Sequence, residues 1–214
     1  MSTSTSPDPI SDPSPRPPAA PALAALVVEG DGWLASRLCD LLQTEPGSRL
    51  AGVAASANEA MSMAARDRFD IALVGHHPPA ESGFALCREL KQTPTPPAVV
   101  IYCADPDGVL AACCAVADAD ALINIHHCGA ELPGVLDRVA RGARFLPAVP
   151  PGTAAMLRDH LEPAEYAIFA MLLADFPADH VASALRISEG ELESQQSALL
   201  GRLETLRANP GARS

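Results

Sequence analysis

The chain has 214 residues, 48% of them hydrophobic and 19% charged, with 21 Pro and 6 Cys. Those proportions describe a globular chain of one or two domains and exclude collagen, coiled coil and wholesale disorder. With 15 Lys and Arg against 26 Asp and Glu the formal charge is -11, so the chain as a whole does not attract phosphate backbones or acidic lipid, and any DNA contact has to be local.

In chain order, Met1 to Pro21 is rich in Ser, Thr and Pro, with seven prolines, and residues 1–21 are expected to be a disordered arm. The apolar run from Ala19 to Val28 carries Pro21, lacks a preceding basic cluster and ends in Glu29-Gly30-Asp31. It reads as a buried strand rather than a secretory leader, which makes reduced thiols in a cytoplasm the expectation. No stretch approaches the roughly 18 apolar residues of a membrane helix.

Leu26 to Val28, Leu50 to Ala54, Ile71 to Val74, Val99 to Tyr102 and Ala121 to Ile125 are strand candidates. Between them apolar residues recur at helical intervals: Leu34, Leu38, Leu41 and Leu42, then Ala60, Met63, Ala64 and Phe69, then Phe84, Cys87 and Leu90. The run Val109 to Ala117, with Cys113 and Cys114, reads as a further helix whose apolar residues pack or dimerise. Strands alternating with helices predict an α/β fold, a doubly wound five-stranded parallel sheet over residues 22–145, because each parallel crossover needs a helix-length connection. Prolines 147, 150 and 151 mark a linker at residues 146–158. Helical stripes without strand signal then predict a small all-α domain over residues 159–207 and a disordered tail at 208–214.

Ser188 and Glu191 have the spacing of a capping box, and Pro163 suits a helix first turn. Pro163, Glu165, Ile168, Leu172, Val181, Ala182, Leu185, Ile187, Ser188, Leu192, Leu199 and Leu203 fall, without a gap, in register with the LuxR-type helix-turn-helix pattern, which this segment resembles. With the preceding α/β half, the chain resembles a response regulator of the NarL/FixJ type. The resemblance also locates the receiver pocket. Asp70 to Pro79 is similar to the third strand and its loop, with Gly75 at the phosphoacceptor position. Glu29 keeps one acidic position of the first strand, Gly30 loses the second, and Asp31 is adjacent. Cys103 takes the place of Thr or Ser, and Ile125 that of Lys, or Asn124 if the register slips by one. The implication is a pseudo-receiver with no aspartyl phosphate, a poorly supplied Mg2+ and phosphorylation-independent signalling.

Small side chains at Gly30 and Gly75 and apolar ones at Cys103 and Ile125 suit an organic ligand, so Glu29, Gly30, Asp31, Gly75, Cys103 and Ile125 form a degenerate phosphoacceptor pocket or a ligand pocket. His76, His77, His126, His127 and Cys128 also fall at strand ends, but their spacing matches no metal motif, and no metal or other cofactor is expected; solvated loop histidines and buried cysteines are the plainer reading. In the helix-turn-helix, Ser194, Gln195 and Gln196 are the candidate base readers and Arg202 a phosphate contact. Arg186, Arg207 and Arg213 are further cations within reach of phosphates. Residues 151–214 nevertheless hold five Arg and nine acids. The resemblance therefore implies a homodimeric regulator binding double-stranded DNA; abundant Ala, Arg and Pro with the single Lys91 suggest a high-GC genome, where similar regulators often control secondary-metabolite clusters. The alternative is an interaction protein that sequesters another regulator. No nucleophile and base occur at motif spacing, so an enzyme is not expected.

Overall fold

The computed structural model describes residues 22–76 and 82–209. Five parallel strands, β1 (Leu23–Val28), β2 (Ser48–Ala54), β3 (Ile71–Gly75), β4 (Ala98–Cys103) and β5 (Ala121–Asn124), lie in the order β2-β1-β3-β4-β5. They alternate with α1 (Gly32–Thr44), α2 (Ala57–Ala64), α3 (Gly83–Lys91), α4 (Gly108–Val116) and α5 (Cys128–Ala140). All five predicted strands form, β1 beginning earlier than expected and β5 ending one residue sooner. The period of two along each strand divides the apolar side chains between two cores. Val27, Leu73, Tyr102 and Ile123 face α1 and α5. Leu26, Val74, Ile101 and Leu122 face α2, α3 and α4.

Short polar side chains start α1, α2 and α4, each supplying an acceptor to an otherwise orphaned backbone N–H. Asp31 accepts from Leu34 N at 2.8 Å, and Asp107 accepts from Val109 N and Leu110 N at 2.9 and 2.8 Å.

The second half is helical: α6 (Pro151–His160), α7 (Pro163–Leu173), α8 (Ala178–Leu185) and α9 (Glu189–Ala208). Helix α6 occupies most of the stretch expected to be a linker. Pro151 stands in its first turn, where the missing N–H is no loss, so a proline cluster that reads as an interruption here opens a helix. Glu162 and Glu165 form a reciprocal capping box on α7. The α8–α9 turn is made by Arg186 in the left-handed region, φ 57°, and Ser188 then caps α9 by accepting from Glu191 N at 3.2 Å.

Helix α4 joins the halves. Every residue from Val109 to Val116 is buried, as expected of a helix apolar all round. One side lies on the sheet, the other under α7 and α9, and Leu110, Cys113, Ile168, Phe169 and Leu200 belong to one continuous core. Helix α9 runs antiparallel to α4, with Gln196 beside Val116 and Arg207 beside Asp107. No helix among the described residues is long and apolar enough to cross a membrane.

Candidate functional site

At the carboxyl edge of the sheet, β1, β3 and the start of α3 enclose a crevice of about 210 Å³ whose lining includes Glu29, Gly30, Gly75, Gly83 and Glu89. Glu29 is buried, with 5% exposure. Its Oε1 accepts from Asp31 N at 2.8 Å and its Oε2 from the Tyr102 hydroxyl at 2.7 Å. Val28 O lies 3.1 Å from the same hydroxyl, a second acceptor beside its one proton. Burial, with the Glu29 hydrogen bond second, pushes the Tyr102 hydroxyl well above its ordinary range, so it stays a proton donor to the carboxylate. Gly83 comes so close that a Cβ there would lie 2.8 Å from the Gly75 carbonyl oxygen. The crevice is smaller than the pockets of about 300–1,000 Å³ that hold organic ligands.

The six residues expected to share this pocket do not all meet in it. Glu29, Gly30 and Gly75 line it. Asp31 turns away to cap α1. Cys103 is buried in the α2, α3 and α4 core, and its backbone partner on β5 is Asn124. Ile125, one residue past the strand, opens a 3-10 turn, Ile125–His127, and packs on the opposite core. It thus keeps to the face of Ile123, two residues before it, as a period of two requires, and not to the crevice. Burial holds the thiols of Cys103 and Cys128 up at about 11.

The metal candidates are also separated. His76 is buried against Phe84, ring centroids 4.4 Å apart. His126 and His127 lie in the 3-10 turn, and Cys128, the first residue of α5, is buried in the core shared with α1. No group of three metal-ligating side chains occurs among the described residues, and His77 lies outside them.

In the output half, α7, α8 and α9 enclose Ile168, Leu172, Val181, Ala182, Leu192, Leu199 and Leu203 as the helical pattern requires. Ser194 and Gln195 of α9 are not part of that core: Ser194 Oγ donates to Gly190 O at 3.0 Å, and Gln195 Nε2 to Glu191 Oε1 at 3.5 Å. Gln196, expected beside them as a base reader, is 7% exposed, and its amide donates to Val116 O at 3.5 Å. It sits under α4 because it follows Leu192 by one helical turn and shares the inward stripe. Arg202 pairs with Glu165 at 3.0 Å and donates to His160 O at 3.4 Å. Arg207 pairs with Asp107 at 2.7 Å, and Arg213 lies outside the described residues.

Contacts between the halves are the part the sequence reading missed. Arg88 of α3 donates to Ser197 Oγ at 3.1 Å, and Ser82 Oγ to Glu204 Oε1 at 2.8 Å. Arg144 grips Asp118, just after α4, and Asp175, just after α7. Both aspartates are left-handed, φ 62°, at positions where glycine is sterically cheapest. The all-round apolar run 109–117 is the one sequence signal for this docking.

No protein-family model matches the chain, and no curated protein matches it. Among solved structures, RcsB response regulator from Salmonella typhimurium is 12% identical over 86% of this chain and 93% of that one, TM-score 0.54. RcsB bound to promoter DNA is 14% identical over 90% and 94%, TM-score 0.55. A LuxR-family two-component response regulator from Aurantimonas is 19% identical over 63% and 94%, TM-score 0.55. The fold of the chain is that of a receiver domain followed by a helical helix-turn-helix domain, as in these response regulators.

Proposed function

We propose that the chain is a transcription regulator that binds promoter DNA as a homodimer through α7, α8 and α9, and that its receiver-like domain works without aspartyl phosphorylation. Gly75 carries the second half of this reading. It ends β3 at the mouth of the crevice, where phosphotransfer would need a carboxylate, and the nearby Glu29 is already engaged by Tyr102 and Asp31. Among the described residues no Asp, Lys or Arg lines the crevice, so the nucleophile and cation that phosphoryl transfer calls on are not supplied by them.

The first half rests on the complete three-helix scaffold. Ser194 and Gln195 are the base readers in this reading, which their position outside the α7–α9 core supports. Gln196 is not one of them, and its participation requires α9 to leave α4. In this reading Ser194 and Gln195 can meet DNA while α9 stays on α4, and only a contact from Gln196 calls for undocking. The acidic output half makes the phosphate contribution small and the affinity correspondingly salt-insensitive.

For the dimer, the α1–α5 face offers a self-complementary surface. Trp33 projects with 74% exposure beside an apolar groove of about 500 Å³ lined by Leu34, Leu41, Ile125 and Gly129. A two-fold axis would seat each indole in the partner's groove. Replacing Trp33 with Ala is expected to shift the dimer toward monomer in sedimentation, with the helical content unchanged.

A salt-titrated mobility shift on candidate promoter fragments tests the main reading. A specific shift lost in the Ser194→Ala, Gln195→Ala double variant supports it, and no shift even at low salt overturns DNA binding in favour of sequestration of another regulator. Incubation with acetyl phosphate is expected to leave the protein unlabelled.

A further inference from the structure

The receiver-like and output halves enclose a second, larger space. Where α3, α4 and α7 end, a cleft of about 760 Å³ opens between the halves. That volume, at a domain interface, is within the range of ligand sites. Its three cations are not equivalent. Lys91 is paired with Asp120, and Arg144 with Asp118 and Asp175. Arg88 makes no ion pair among the described residues and donates only to the Ser197 hydroxyl at 3.1 Å. The guanidinium is half-buried, and desolvation lowers its pKa from the ordinary value against the opposing charge of Glu193. Glu193 lines the same cleft from α9, also without an ion pair among the described residues. Phe176, Leu172 and Val116 give the lining an apolar part, with the Gln196 amide and the paired Asp118, Asp120 and Asp175 also among the lining groups.

We propose that this cleft is a binding site for a zwitterionic amino acid or dipeptide with an apolar side chain, its carboxylate on Arg88, its ammonium on Glu193 and its side chain against Phe176. A simple anion is disfavoured, because three helices present their carbonyl ends here and Glu193 repels it. A simple cation is disfavoured by Arg88. A zwitterion satisfies both unpaired charges, and charge-assisted bonds to the guanidinium are the stronger kind. Since Arg88 belongs to the receiver-like half and Glu193 to α9, the occupant ties α9 to α3 and favours the docked arrangement. The site itself is independent of the DNA-binding reading, while its consequence for promoter affinity rests on it.

The test uses the full chain and amide and side-chain NMR. L-phenylalanine, L-leucine and the dipeptide Leu-Phe are titrated at millimolar concentration, alongside 3-phenylpropionate as the carboxylate-only probe and phenethylamine as the amine-only probe. Expected are shifts at Phe176 and Gln196 with at least one zwitterion, about tenfold weaker for the single-charge probes. Arg88→Gln abolishes the shifts and Glu193→Gln weakens them, with the rest of the spectrum preserved. Absence of shifts with all three zwitterions, equal binding of the single-charge probes, or binding unchanged in Arg88→Gln overturns the proposal. A mobility shift with and without the bound zwitterion is read separately: binding without any DNA shift sinks the regulator and leaves the site standing.

Discussion

Tyr102 and Glu29 define the chemistry left at the sheet edge. Tyr102→Phe removes the phenolic donor from a buried carboxylate, which should lower stability by about 1–3 kcal/mol in urea unfolding. An unchanged midpoint would place the Glu29 charge elsewhere in the protein's hydrogen bonding. The cysteines set a second test. Cys103 and Cys128 hold their protons up to about 11, above the usual 9.0. The native state therefore retains protons that an unfolded chain releases. The stability these thiols confer is complete below pH about 9 and is lost as the pH climbs toward about 11. The urea midpoint should fall across that alkaline window, and neutral-pH alkylation of Cys103 and Cys128 in the native protein should be slow. Arg186, left-handed at φ 57°, offers a substitution of opposite sign: Arg186→Gly should stabilise by about 1 kcal/mol, since a side chain is costly there.

Among the elements, α4 decides how the halves meet. On α9, Leu200 is 5% exposed and belongs to the shared core. Leu200→Ala should cost about 2–4 kcal/mol and shift α9 toward the undocked form. Faster hydrogen exchange along both α4 and α9 is the expected signature, and faster exchange in α9 alone would argue against the shared core. The strands and most helices are legible in the sequence because periods of two and of three to four leave separate marks on an apolar pattern. Helix α6 is hidden there, since Pro147, Pro150 and Pro151 resemble a break until the last of them is seen to occupy a first turn. Glu29, Gly30 and Gly75 are legible as neighbours because they sit at the ends of strands of known order. Ile125 does not join them, because two residues after Ile123 it keeps that residue's face and packs on the α1–α5 core. The docking of Gln196 under α4 and the Arg144 bridge depend on tertiary placement that no local spacing encodes. Only the unbroken apolar character of residues 109–117 announces that something has to cover them.

For the molecule as a whole, a continuous core through the sheet, α4 and the output helices implies joint unfolding. Calorimetry should give one transition, and two separated ones would mean that the core is not shared. The exposed bridges from Arg144 to Asp118 and Asp175 add little to that total, because surface ion pairs are worth about 0–1 kcal/mol. Their geometry fixes orientation more than it adds strength. The wrapping of α4 on all sides also bears on biosynthesis. The ribosome completes this helix well before α7 and α9 emerge to cover it, so the nascent chain displays a naked hydrophobic rod throughout that interval. Premature termination before the last helix should accordingly yield a product that is degraded or aggregates rather than a free-standing receiver-like domain.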